Sequence, residues 1–255
     1  MIQAINHGNI RELRINRPPA NALSPELIID LRAAVENAAA GAESRAIVLS
    51  GMPGMFSAGL DVPHLLTQDR AAIAKLWREF YGLLHRLACS PIPIAGAITG
   101  HAPAGGTVLL LFCDWRCMAE GNWKIGLNEV QVGLPVPPVI LGALHRQVGA
   151  RQAEWLATSG LLMSPQEGLR VGLIDEIAAF EKVIERTIEW CKQLLALPSR
   201  AMLATRAKAR ADLVALFARS LESEIAAAAE SWWTEETQAA LRAMVERLAA
   251  KASRR

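Results

Sequence analysis

Glu129 lies in an unusually apolar stretch, KIGLNEVQVGL (Lys124–Leu134), with Ile125 and Leu127 before it and Val130 and Val132 after it. A carboxylate with so few polar neighbours loses solvation, and its pKa rises from roughly 4.3 towards neutrality. That is the profile of a general base. Taken alone, Glu129 is better read as a helix cap or as the partner of a distant arginine. Two other stretches have the form of a small-residue turn that follows a strand and opens towards a helix. They are Ser57-Ala58-Gly59-Leu60-Asp61 and Ala104-Gly105-Gly106-Thr107. Glycine lets backbone N–H groups face outward, and two of them converging on one point would make an oxyanion hole. Either turn taken singly reads as a tight turn without a ligand.

Other chemistries find little support. The chain has no GxSxG, GxxxxGK[ST] or GxGxxG pattern. His7, His64, His85, His101 and His145 form no HExxH, and Cys89, Cys113, Cys117 and Cys191 form no CxxC, so no metal site is expected. A composition of 52% hydrophobic and 20% charged residues indicates a globular protein with a substantial core. The net charge of +2 gives no reason to expect nucleic acid or an anionic membrane as a partner. The one basic cluster, Arg200–Arg219, carries Arg206, Lys208 and Arg210 and reads as a solvated face that could meet a phosphate. Pro91–Cys113 holds no charge over a membrane-spanning length, but five glycines and prolines (Gly96, Gly100, Pro103, Gly105, Gly106) interrupt it, so no insertion is expected. No signal peptide is expected from MIQAINHGNI, which leaves cytoplasm and free thiols as the default.

The elements that must position these residues follow from local pattern. Ile2–Asn6 and Ile10–Asn16 flank His7-Gly8-Asn9 as a hairpin. Ser24-Pro25-Glu26 starts a helix with a cap, a first-turn proline and an acidic residue. Arg45–Ser50 and Ile92–Ile98 read as buried strands, and Ala71–Ala88 as a helix. Ser164-Pro165-Gln166-Glu167 opens a further helix, and Leu173–Ile177 reads as a late strand. Helices then cover Phe180–Ala196, Arg200–Ala229 and Glu235–Ala252, with a boundary at Leu197-Pro198-Ser199. Strands alternating with helices favour parallel pairing and an α/β core.

Taken together, these stretches resemble the crotonase superfamily, also called the enoyl-CoA hydratase/isomerase family. The likeness runs from about Ile10 to Leu248. It is carried by NRPPANALS (Asn16–Ser24), FSAGLD (Phe56–Asp61), IPIAGAITGHAPAGG (Ile92–Gly106), CDWRCMAE (Cys113–Glu120) and IGLNEVQVGL (Ile125–Leu134). The resemblance implies an α/β fold built as a spiral of ββα units. Residues 1–197 would form the acyl-CoA-binding core and 198–255 a helical region that builds trimers, often paired into hexamers. It implies an acyl-CoA substrate that carries its own coenzyme A, with no separate cofactor. The oxyanion donors map onto the backbone N–H groups of Leu60 and Gly105. Ala20, Ala22, Leu23, Ser57, Ala58, Gly59, Asp61, Gly106 and Leu134 map onto the substrate-binding surface.

Departures from the family pattern narrow the reaction. Hydratases of the family carry two glutamates, and the first of these positions here is Val108, which can neither take nor give a proton. Glu129 fills the second. Together with the IGLNE and FSAGLD wording, this is similar to the Δ3,Δ2-enoyl-CoA isomerases. A double-bond shift needs one base that removes a proton from C2 and returns it at C4, whereas hydration usually needs two groups. The lysine often found after the first turn is replaced by Val62-Pro63-His64, and Pro135-Val136-Pro137-Pro138 is an unusual segment that could shape a different acyl pocket. The alternatives are a hydratase, thioester hydrolase or decarboxylase of the same superfamily, or a non-catalytic acyl-CoA-binding subunit.

Overall fold

The computed structural model describes residues 1–41, 43–218 and 221–252. β1 (Ile2–His7) and β2 (Ile10–Ile15) form the expected antiparallel hairpin. Ser24 caps α1 (Pro25–Ala40), its Oγ accepting the Leu27 N–H at 3.3 Å. The chain then repeats one pattern, in which a strand of a large sheet runs into a strand of a small one. β3 (Ala46–Ser50) leads to β4 (Gly54–Met55), then through α2 (Val62–Leu65) to α3 (Arg70–Ala88). β5 (Ile94–Ile98) leads to β6 (Gly100–Pro103) and α4 (Gly105–Leu111). β7 (Trp115–Ala119) leads to β8 (Ile125–Gly126) and a 3-10 turn over Glu129–Val132.

That turn is followed by α5 (Pro138–Val148), α6 (Ala150–Ser159), α7 (Pro165–Arg170) and β9 (Glu176–Ala178). The remainder is helical: α8 (Val183–Leu195), α9 (Ser199–Ala209), α10 (Ala211–Ala215), α11 (Leu221–Trp232) and α12 (Glu235–Ala252). The large sheet runs β1-β2-β3-β5-β7-β9, parallel after the first pair, and the small sheet runs β4-β6-β8, also parallel. The fold is therefore the expected spiral of ββα units. Helices cover both faces of the large sheet, as a parallel sheet requires. Leu13, Ile47, Leu49, Ile94 and Ile98 face α1 and α3, while Ile10, Val48, Ala95 and Cys117 pack against Val183, Ile188 and Cys191 of α8.

Several elements differ from the sequence reading. The late strand is Glu176–Ala178 rather than Leu173–Ile177. Leu173 closes α7 through its N–H to Gly168 O at 2.8 Å, and it and Ile174 are buried side chains of the core. β7 was not read as a strand because Arg116 interrupts its apolar run. The guanidinium is buried and capped by Leu110 O, Cys113 O and Asp175. α5 and α6 were also missed. The single helix expected over Arg200–Ala229 is instead α9, α10 and α11, with residues 219 and 220 outside those described.

Arg200 and Lys208 of the basic cluster are exposed, but the other two cations singled out there do not form a solvated face. Arg206 and Arg210 turn inward onto Asp114, with contacts of 2.8 and 3.1 Å, and Arg210 is only 5% exposed. Trp232 of α11 and Leu241 of α12 are fully buried in the main core. Among the described residues no helix is long and apolar enough to cross a membrane, and no three His, Cys, Asp or Glu side chains are placed to hold a metal.

Candidate active site

The two small-residue turns and the apolar glutamate stretch meet at one cavity of about 730 Å³. Ala20, Ala22, Ala58, Leu60 and Asp61 line it from the first turn and the loop before it, and Gly105 and Val108 from the start of α4. Asn128, Glu129 and Leu134 line it from the 3-10 turn and its flanks. Leu23, Ser57, Gly59 and Gly106 do not reach the cavity surface. Leu23 is fully buried and bridges to Leu60, while Ser57, Gly59 and Gly106 lock the two turns together behind the wall.

The first turn is held by a residue the sequence reading passed over inside the NRPPANALS motif. Asn21 is fully buried with φ +49°, a left-handed conformation that asparagine tolerates through local hydrogen bonding. Its Nδ2 donates to Ile15 O, Met55 O and Phe56 O, each at 3.0 Å, and its Oδ1 accepts the Arg17 N–H at 2.8 Å. Ser57 Oγ donates to Asn21 O at 2.8 Å and accepts the Gly59 N–H at 3.2 Å. Gly59 has φ +86°, and a Cβ there would lie 3.1 Å from the Gly105 nitrogen. The two turns thus abut through bare backbone, which only glycine at position 59 allows.

The second turn is tied to the glutamate stretch. Ala104 N–H donates to Gly126 O at 2.9 Å, and the Thr107 hydroxyl bridges Ala102 O and Gly126 N–H at 2.5 and 2.8 Å. Among the described residues, neither the Leu60 N–H nor the Gly105 N–H donates to a protein acceptor. Two donors without partners therefore line one wall of the cavity. Such groups stabilise an oxyanion because they are fixed before charge develops.

Glu129 faces the same cavity. It is half-buried as a residue, but its Oε2 is shielded from solvent and has no hydrogen-bond partner. Burial pushes the carboxyl up from 4.5 to about 7, opposed only by a hydrogen bond from its own backbone N–H. Asp61, the other cavity carboxylate, is already committed. It accepts from Arg17 at 2.6 Å and caps α2 through the His64 N–H at 3.3 Å. A base must be ionised to take a proton, so activity is lost as pH falls through the folded-state pKa. For turnover of an enolisable acyl thioester, kcat/KM should rise with pH to a plateau with a midpoint near 7. A midpoint in the ordinary carboxylate range would show that Glu129 is not the titrating group.

Beyond Asn21, sequence reasoning missed Arg17, Trp77, Asn128, Met244 and Leu248, which also line the cavity. Met244 and Leu248 come from α12, and no local pattern connects them to a site more than a hundred residues earlier. Asn128 Oδ1 and Trp77 Nε1 are buried there without partners. A larger groove of about 870 Å³ lies between the β1–β2 turn and α8. Lys182 pairs there with Glu185 at 2.7 Å and Arg186 with Glu176 at 2.6 Å, and none of the small-residue turns reaches it.

Fold and site together place two unpartnered backbone N–H groups and a carboxylate of raised pKa around one cavity of an α/β enzyme. Residues 6–253 match the sequence profile of the Enoyl-CoA hydratase/isomerase family, and the chain belongs to that family. It is 34% identical over 205 residues to the human protein named enoyl-CoA delta isomerase 1, mitochondrial, covering 80% of this chain and 68% of that protein. It is 35% identical over 195 residues to a Mycobacterium avium protein named probable enoyl-CoA hydratase, covering 76% of each. The crystal structure of human mitochondrial Δ3-Δ2-enoyl-CoA isomerase superposes with a TM-score of 0.94 at 29% identity, over 98% of both chains.

Proposed function

We propose that the protein is an enoyl-CoA isomerase that shifts the double bond of a 3-enoyl-CoA to the 2-position. Glu129 Oε2 removes a proton from C2, the electron pair passes towards the thioester oxygen, and the resulting dienolate is held by the Leu60 and Gly105 N–H groups. The same carboxyl, now protonated, returns the proton at C4, and the double bond closes between C2 and C3. The shift is redox-neutral and needs no cofactor beyond the coenzyme A of the substrate. Ala20, Ala22, Ala58, Asp61 and Leu134 form part of the surface that receives it.

One observation carries this reading: Glu129 is the cavity carboxylate with an unpartnered oxygen, and Val108 lines the same cavity where a second acid would be needed for hydration. The isomerase named among the relatives supports it, and the hydratase named beside it is the competing reading. Purified protein incubated with 3-enoyl-CoA, 2-enoyl-CoA and a malonyl-type thioester should convert the first alone at a rate far above the others. Faster formation of 3-hydroxyacyl-CoA from 2-enoyl-CoA would assign a hydratase instead, and loss of carbon dioxide a decarboxylase.

Residues 198–255 are proposed to build a homotrimer or hexamer, which a single-chain mass in light scattering would reject. The proposed location is the cytoplasm, a compartment that suits the four unpaired cysteines.

A further inference from the structure

The C-terminal helix touches the site at two levels, along one face. Thr237, Leu241, Met244 and Leu248 follow one another at intervals of four, three and four residues, which places them on one side of α12. Met244 and Leu248 line the cavity, and Leu241 is fully buried in the core. Thr237, at the start of the stripe, is also fully buried, and its hydroxyl donates to Gly133 O at 2.8 Å. A second hydroxyl, Thr234 Oγ1, holds the Thr237 hydroxyl at 2.8 Å, which fixes its direction.

Gly133 ends the 3-10 turn that begins with Glu129. It has φ +73°, and a Cβ there would lie 3.0 Å from Thr237 Cα, so the turn and the helix meet at backbone distance. The turn is tied on one side by Gln131 Nε2, which donates to Gly160 O at 2.8 Å, and at its Gly133 end by Thr237. Its closing bonds are Gly133 N–H to Val130 O at 3.2 Å and Leu134 N–H to Glu129 O at 3.1 Å, and Asn128 at its start forms no side-chain cap. A short 3-10 turn of this kind is weakly held by its own bonds.

We infer that Thr237 is a positioning residue for the reaction: its hydroxyl pins the Glu129 turn to α12, so that the helix lining the cavity also sets the carboxylate in register with the bound acyl thioester. The inference rests on the proposed isomerase reading only for its kinetic test. Proton transfer demands close alignment, and small displacements of the base are costly in rate.

The test compares Thr237→Val, which keeps the shape and removes the hydroxyl, with Thr237→Ser, which keeps the hydroxyl. Two readouts are taken: isomerisation of 3-enoyl-CoA, and hydrogen exchange of the Gly133 and Leu134 amides in the unliganded protein. Thr237→Val should lower kcat about tenfold with KM within about twofold. It should also speed exchange at those amides, and Thr237→Ser should restore both. Wild-type kcat in Thr237→Val overturns the inference, as does a loss that serine does not restore or an exchange rate that stays unchanged. If the wild-type protein turns over no 3-enoyl-CoA, the isomerase reading falls, and the exchange comparison of the two variants decides the inference on its own.

Discussion

Glu129→Gln should lose isomerisation of 3-enoyl-CoA by roughly 10²–10⁴-fold in kcat, the range a single acid–base group supplies. An amide of the same shape fills the space of the carboxyl but cannot carry a proton between C2 and C4. The same substitution should make the protein more stable at pH 8. Burial raises the Glu129 pKa from 4.5 to about 7, so the folded state disfavours the ionised form. Well below pH 4.5 the carboxyl is protonated in both folded and unfolded chains, and no penalty exists. As pH rises towards 7 the unfolded chain releases its proton first, and the penalty grows until both states are ionised. At pH 8 the full shift corresponds to up to about 3 kcal/mol. Thermal melts at pH 8 and pH 4.5 should show a gain in Tm for the variant at the higher pH that shrinks to a small remainder at the lower one. Wild-type turnover in Glu129→Gln would remove Glu129 from the mechanism, and a Tm gain independent of pH would show that its ionisation is not what costs stability.

Asp114→Ala should be strongly destabilising although it lies outside the site. Asp114 accepts from Arg206 Nε and Nη2 at 2.9 and 2.8 Å, from Arg210 Nη1 at 3.1 Å, and from the Ile94 N–H at 2.8 Å. All three charged side chains are at most 13% exposed. Burial lowers the pKa of the Arg210 guanidinium, and the Asp114 charge opposes that effect. Removing the carboxylate leaves two buried guanidinium groups facing each other without a counter-charge. Breaking a buried ion pair from one side typically costs about 3–5 kcal/mol. Urea denaturation should show a fall in unfolding free energy of that size. Asp114 does not line the cavity, so the variant's kcat per folded molecule should match the wild type. A change within 1 kcal/mol, on the order expected of an exposed pair, would show that the clamp is solvated.

These two residues show how unevenly the chain discloses itself. Ser24 and Ser164 are legible as helix caps because the groups they satisfy lie three residues away, and both caps form, Ser164 as a full capping box with Glu167. The hairpin, α1 and α3 follow in the same way from short-range pattern, and the ββα succession from the family resemblance. Five motifs in order were enough to indicate the family and its fold. The apolar flanks of Glu129, together with the two glycine turns, were enough to single it out as a candidate base.

What the sequence could not contain is which distant groups become neighbours. Arg206 and Arg210 look like part of a basic surface because their partner Asp114 lies more than ninety residues earlier. Asn21 looks like one polar residue in a loop, yet it ties together carbonyls up to 35 positions away and indirectly sets the turn that presents the Leu60 N–H. The stripe on α12 reads as ordinary helix packing until the tertiary fold lays it across the cavity and against Gly133. The sequence alone determined the family, with the ββα spiral that the resemblance implies, and Glu129 as a candidate, since these depend on residue type and motif order. Only the tertiary structure decided that the two N–H turns abut at Gly59, that Val108 and Glu129 share one cavity and that Glu129 Oε2 has no partner. Desolvation and convergence depend on how segments far apart in the chain are packed together.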